Sequence, residues 1–160
     1  MTTHLQIQRA MPNDAAEIAV LVGELLTEIM NVVGVAAFNF SLGETTHRLN
    51  EFIDTQKYFV FVARDGAVNK LVGFVALYES YALYAEGAFG TIPELYVCPA
   101  YRSKGIGRML IDSAKDFGIA KNWQRLEVTT PPLPHFENTV RFYEREQFAI
   151  TGGRKLKIVL

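Results

Sequence analysis

The stretch Pro99–Leu110 reads PAYRSKGIGRML and places three cations, Arg102, Lys104 and Arg108, around two glycines, Gly105 and Gly107. Glycine has no Cβ, so a ligand can lie directly against the backbone at those positions. Downstream, Ile106, Met109, Leu110, Ala114 and Phe117 recur at helical spacing, which predicts a helix from Gly105 to about Ala120. The first N–H groups of such a helix have no partner inside it and carry roughly half a unit of positive charge. A phosphate-bearing ligand is the natural guest of this combination. The stretch lacks the Gly-Lys-Ser/Thr of a P-loop and the third glycine of the dinucleotide fingerprint. It therefore predicts a diphosphate that is held rather than cleaved.

Working outward, Ala88–Val97 predicts a strand running into this turn, and Pro93 within it cannot donate to a ladder, which predicts a bulge or a locally unpaired edge. Leu5–Arg9 alternates as a first strand. Asp14 is expected to cap a helix to about Met30, with Ile18, Leu21, Val22, Leu25, Leu26 and Ile29 on one stripe. NVVGVAAFNFSLG (31–43) reads as an apolar connector, and Glu44–Thr55 as a second, more polar helix. Tyr58–Arg64 and Leu71–Tyr78 predict an antiparallel hairpin turning at Asp65-Gly66. Arg125–Thr130 is a fifth strand, followed by the break PPLPHF. Asn138 is expected to cap a helix through about Glu146, and two last strands flank Gly152-Gly153 and end in LKIVL. The order β-α-α-β-β-β-α-β-α-β-β predicts an α/β chain of the α+β type.

A chain of 160 residues, 49% hydrophobic and 21% charged, fits a single domain over 1–160. The net charge of −1 offers no general field for nucleic acid or an anionic membrane, so neither is an expected partner. No secretory pattern is present, and no apolar run approaches the ~20 residues of a bilayer span, which points to a cytoplasmic protein. Cys98 is the single cysteine, and His4, His47 and His135 lie far apart, so no disulfide and no metal site is expected.

With the helix-opening loop placed between ELYV and a later RLEVTT and NTVRFYEREQF, the chain resembles the GNAT superfamily of acyl-CoA-dependent N-acetyltransferases. That resemblance covers nearly the whole chain. It implies a mixed, mostly antiparallel sheet of about seven strands with four helices, the fourth strand (Ala88–Val97) splayed from the fifth (Arg125–Thr130). It implies acetyl-CoA as cosubstrate, its pyrophosphate held at Arg102, Ser103, Lys104, Gly105, Ile106, Gly107 and Arg108. Its pantetheine arm would pair with the backbone of Leu95 and Val97, and Asn138 would match the family's asparagine near the last helix. Tyr143 matches the family's tyrosine, which protonates the leaving sulfur. Glu94 or Glu127 would serve as base, Glu94 placed first. Facing along the strand leaves that choice open, because a bulge near Pro93 shifts it by one residue.

The implied reaction is direct attack by a primary amine on the thioester in a ternary complex, with no metal. A small amine is the expected acceptor, and a protein amino terminus or lysine the alternative; a reading of another class is a module that binds acyl-CoA without transferring the acyl group. The connector 31–43, with Phe38 and Phe40, and ESYALYAEGAFG (79–90) should build the acceptor side, where tyrosines and glutamates suit a cation. The final strand either closes its own sheet or pairs across the axis of a homodimer.

Overall fold

The computed structural model of the protein describes residues 4–160. In chain order it contains β1 (Leu5–Arg9), a 3-10 turn (Pro12–Asp14), α1 (Ala15–Val33), α2 (Leu42–Asp54), β2 (Phe59–Asp65), β3 (Lys70–Ala82), β4 (Gly87–Ile92) and β5 (Leu95–Val97). A second 3-10 turn (Pro99–Tyr101), α3 (Ile106–Ala120), β6 (Leu126–Val128) and α4 (Glu137–Arg145) follow. The chain up to Thr129 forms one compact unit and Thr130–Leu160 a second.

In the first unit the sheet runs β1-β2-β3-β4-β6, and β5 pairs β3 next to β4. The β4–β6 ladder is parallel and the others antiparallel. β2 and β3 are rich in branched and aromatic residues, which suit a pleated surface covered on both sides. Their alternation divides the core. Val60, Val62, Phe74, Ala76 and Tyr96 cluster with Ile18 and Leu21 of α1 and Leu49 of α2. Phe59 and Phe61 point to the opposite face, where their rings lie 4.8 and 5.7 Å from that of Phe117 in α3. Each large side chain buried in these layers contributes about 1.5–3 kcal/mol.

Several expected boundaries move. The first helix continues to Val33 and stops at Gly34. Asp14 stands before it but does not cap it with its side chain; the carboxylate accepts from the Met11 amide (2.8 Å) and pairs with Arg64 (3.0 Å), tying the helix start to β2. The second helix starts at Leu42, with Ser41 accepting from the Glu44 amide. The strand expected over Ala88–Val97 is two strands, and the one over Arg125–Thr130 is shortened to three residues.

In the second unit, α4 begins at Glu137, and Phe136 takes the capping position. Asn138 therefore lies inside the first turn rather than at its cap. The Phe136 carbonyl already accepts from the Thr139 and Val140 amides, which sets the start two residues earlier. The two final strands do not form: residues 149–160 join no ladder among the described residues, and Leu156, Ile158 and Val159 are 84–90% exposed. Alternation supplies a suitable face, but a strand exists only with a partner edge. Among the described residues the sheet accordingly has six strands, not seven.

Candidate active site

The register around β4 and β5 creates a fork. Thr91 lies opposite Tyr78, and Leu95 opposite Val75. Four steps on one strand thus match three on the other, so one extra residue is accommodated at Pro93-Glu94. This is a β-bulge, as the proline predicted. β4 runs beside β6 from Gly90–Leu126 to Ile92–Val128, where that ladder ends. Past the bulge, the Glu94 carbonyl accepts from the Ala76 amide (2.9 Å) and the Cys98 amide donates to the Val72 carbonyl (2.8 Å). In an antiparallel pair such bonds fall on alternate residues, so the peptide groups of Leu95 and Val97 turn to the edge away from β3.

β5 leads through the Pro99–Tyr101 turn into the glycine loop. Gly105 precedes α3 at φ +83°, a conformation that favours glycine. The Met109 amide donates to Gly105 (3.0 Å) as the helix begins, leaving the amides of Ile106, Gly107 and Arg108 without i−4 partners inside it. Buried Ile106 anchors the turn, while Ser103, Lys104, Gly105 and Arg108 are exposed around it. The Lys104 ammonium lies 5.5 Å from the centre of the Tyr101 ring. Arg102 is engaged elsewhere. Its Nε donates to the Val97 carbonyl (2.8 Å), its Nη2 to Glu28 of α1 (2.7 Å), and its guanidinium lies over the Tyr96 ring. It therefore ties β5 to α1, and an anion at this loop has the backbone amides, Lys104 and Arg108 nearest to hand.

The bulge also decides which way the carboxylates face. Regular alternation from Thr91 would put Glu94 on the α3 face; the extra residue turns it to the α1 and α2 face, together with Tyr96. There the Tyr58 hydroxyl donates to Glu94 Oε2 (3.4 Å), and the Tyr58 ring stacks on Tyr78 with centroids 6.2 Å apart. Burial holds the Glu94 carboxyl up at about 7, against a smaller lowering by the Tyr58 hydrogen bond. Glu127 lies opposite Thr91 and so shares this face, but its side chain is 43% exposed and is engaged by Arg125 (2.9 Å). The two carboxylates thus differ in environment more than in side.

Tyr143 lies in the second unit, buried between Phe142 and Phe148 at centroid distances of 5.1 and 5.3 Å. Burial pushes its phenol above the usual range, which favours the protonated form. Asn138 and His135 are exposed. Cys98 is buried, and burial raises its thiol, as befits a packed residue rather than a nucleophile. Tyr58, Tyr96 and Glu28 escaped the sequence reading. The one hint for Tyr58 was its parity with Val60 and Val62 on the buried face.

A groove of about 500 Å³ borders α1 and the connector, lined by Glu24, Glu28, Phe40 and Tyr96 among others, and the Tyr96 hydroxyl donates to Glu24 (3.2 Å). Gly23 admits the Phe40 ring here, since a Cβ at that position would stand 2.7 Å from it. Among the described residues no helix is long and apolar enough to cross a membrane.

Comparison with known proteins agrees with this architecture. A sequence model of the acetyltransferase (GNAT) family matches residues 26–148. Streptothricin acetyltransferase of Streptomyces lavendulae is 31% identical, over 94% of this chain and 86% of that protein. The crystal structure of an aminoglycoside acetyltransferase from an uncultured soil metagenomic sample superposes with a TM-score of 0.78 at 22% identity, covering 100% of this chain and 99% of the other. That of a ribosomal-protein-alanine N-acetyltransferase from Brucella melitensis biovar Abortus 2308 gives 0.72 at 22% identity, covering 97% and 99%. A glycine loop opening α3, a forked sheet and these relatives lead to one conclusion: the chain belongs to the GNAT acetyltransferase family and is an N-acetyltransferase.

Proposed function

We propose that the protein, acting as a single domain over residues 1–160, transfers the acetyl group of acetyl-CoA to a small primary amine by direct attack in a ternary complex. The observation that carries this reading is Glu94: a carboxyl turned by a bulge onto one face of the fork and held at about 7. In the same reading the edge of β5 that faces away from β3 receives the pantetheine arm at the peptide groups of Leu95 and Val97, the Val97 carbonyl exchanging the Arg102 hydrogen bond for it. The amides at Ile106, Gly107 and Arg108, with Ser103, Lys104 and Gly105, receive the pyrophosphate. The streptothricin and aminoglycoside acetyltransferases act on small molecules, which favours a small amine over a protein terminus here.

The energetics identify the larger need. An amine of pKa about 10.4 is neutral in roughly one molecule in 2500 at pH 7, a deficit of about 4.6 kcal/mol. Glu94 takes the proton from the attacking nitrogen as the C–N bond forms. The C–S bond breaks, and Tyr143, by the family resemblance, gives its proton to the sulfur. Because a thiol of pKa about 8.5 leaves readily, the acid matters less than the base. The products are the N-acetyl amine and free coenzyme thiol.

The test is thiol release from acetyl-CoA with a panel of small amines. Turnover with at least one, and a rise of kcat/KM with pH around 7, is expected; a panel without turnover defeats the small-amine reading. Tyr143→Phe should lower kcat at least tenfold with coenzyme affinity nearly unchanged, and an unaltered kcat would remove Tyr143 as the acid.

A further inference from the structure

The edge of β5 that faces away from β3 is closed by the protein itself. After Val97 the chain makes one 3-10 turn over Pro99–Tyr101, and the Arg102 amide donates back to the Pro99 carbonyl (3.2 Å). The turn returns the Arg102 side chain to the strand it has just left. There its Nε donates to the Val97 carbonyl (2.8 Å) and its Nη2 to Glu28 Oε1 of α1 (2.7 Å), while the guanidinium lies 5.4 Å from the centre of the Tyr96 ring. Both donors belong to one rigid plane, so a ligand that takes the Val97 carbonyl also disturbs the ion pair.

The strength of this closure follows from its exposure. The Arg102 and Glu28 side chains are 41% and 34% exposed, and a pair so placed favours the closed state by a factor of only about two to five. A ligand that needs the open state has its affinity reduced by the open fraction. Glu24, one turn earlier on α1, carries the same charge but accepts from the Tyr96 hydroxyl (3.2 Å) instead.

We propose that Arg102 is an internal occupant of the coenzyme edge, held in place by Glu28, and that acetyl-CoA binds by displacing it. Glu28 is thereby a residue that restrains coenzyme affinity. The inference rests on the reading under Proposed function that the coenzyme runs along β5; it adds the competitor for that edge and the side chain that holds the competitor.

The experiment titrates acetyl-CoA calorimetrically, without amine, into the full-length protein, Glu28→Ala, Glu24→Ala, Arg102→Met and the variant carrying both Glu28→Ala and Arg102→Met. Thermal melts verify folding, and alanine, the best helix former, suits both α1 positions. Glu28→Ala should bind acetyl-CoA about threefold tighter than the wild type, the opposite of what loss of a merely structural contact would do. Glu24→Ala should stay within about 1.5-fold of the wild type, and Glu28→Ala should have equally little effect in the Arg102→Met background, where nothing is left to hold. Should Glu28→Ala fail to fold, Glu28→Gln, which keeps the side-chain length without the charge, carries the same expectation. Unaltered or weaker binding by the folded Glu28 variant would overturn the proposal. So would equal tightening by Glu24→Ala, or an undiminished gain in the Arg102→Met background, since either marks the field of a lost negative charge on an anionic coenzyme. Absence of acetyl-CoA binding by all of these proteins defeats the coenzyme reading and the strap with it, whereas wild-type binding that the Glu28 variant leaves unchanged defeats the strap alone.

Discussion

β4 and β5 are adjoining pieces of what the sequence presents as one strand, yet they live in different surroundings. β4 is hydrogen-bonded on both edges, to β3 and to β6. β5 is bonded to β3 and presents its other edge beyond the end of the β6 ladder. The change occurs over Pro93-Glu94, where one inserted residue both ends the double pairing and rotates the next carboxylate to the other face. A closed sheet supplies rigidity, and an open edge leaves peptide groups accessible. A two-residue break lets one stretch of chain have both.

The sharpest way to test that contrast is to remove one carboxylate from each side of it. Glu94→Gln should lower kcat/KM on the order of 10²-fold at pH 8 and flatten the acid limb near pH 7, as expected for loss of a general base. Glu127→Gln, on the strand that pairs with β4, should change the rate less than threefold. A pH–rate profile of both variants decides, and the reverse result would move the base to Glu127.

The doubly paired half should be the more sensitive to added bulk. A Cβ on Gly90 would stand 2.4 Å from the Trp123 ring and 2.6 Å from the Leu126 side chain. Gly90→Ala is therefore expected to destabilise the fold by about 1–3 kcal/mol, through overpacking. Leu95→Ala, on the singly paired half, is partly buried and should cost less. Denaturant unfolding of both variants compares the halves directly.

The smallest expected effect is a linkage. The Glu94 carboxyl is raised in the folded state from its usual 4.5 to about 7, so the native protein binds more protons than the unfolded chain between these values. Its contribution is fully present below pH 4.5 and is lost as pH rises to about 7. Relative to Glu94→Gln, the wild type should lose on the order of 1–2 kcal/mol of stability across that window. Parallel stability–pH curves for the two proteins would contradict the burial of this carboxyl.

Much of this was legible from residue order. The loop Arg102–Arg108, the helix it opens, the hairpin of β2 and β3 and the break at Pro93 all follow from local chemistry: glycines that permit a turn, a proline that cannot donate, and periodicities of 3.6 and 2. The last two strands were misjudged because LKIVL has the right alternation and no partner edge. Asp14 does stand at the start of α1, but Arg64, fifty residues away, takes its carboxylate in place of the helix amides, and Asn138 falls inside the first turn of α4 because Phe136 takes the cap.

By itself, then, the sequence determined where the chain turns, where glycines open the third helix and which family it belongs to, because those properties reside in a few consecutive residues. Tertiary structure decided that Glu94 faces α1 and α2, that Arg102 is spent on Glu28 and Val97, and that the Tyr58 hydroxyl donates to the Glu94 carboxylate. Facing depends on a register summed across three strands, and burial depends on neighbours distant in sequence; neither is written in any single stretch.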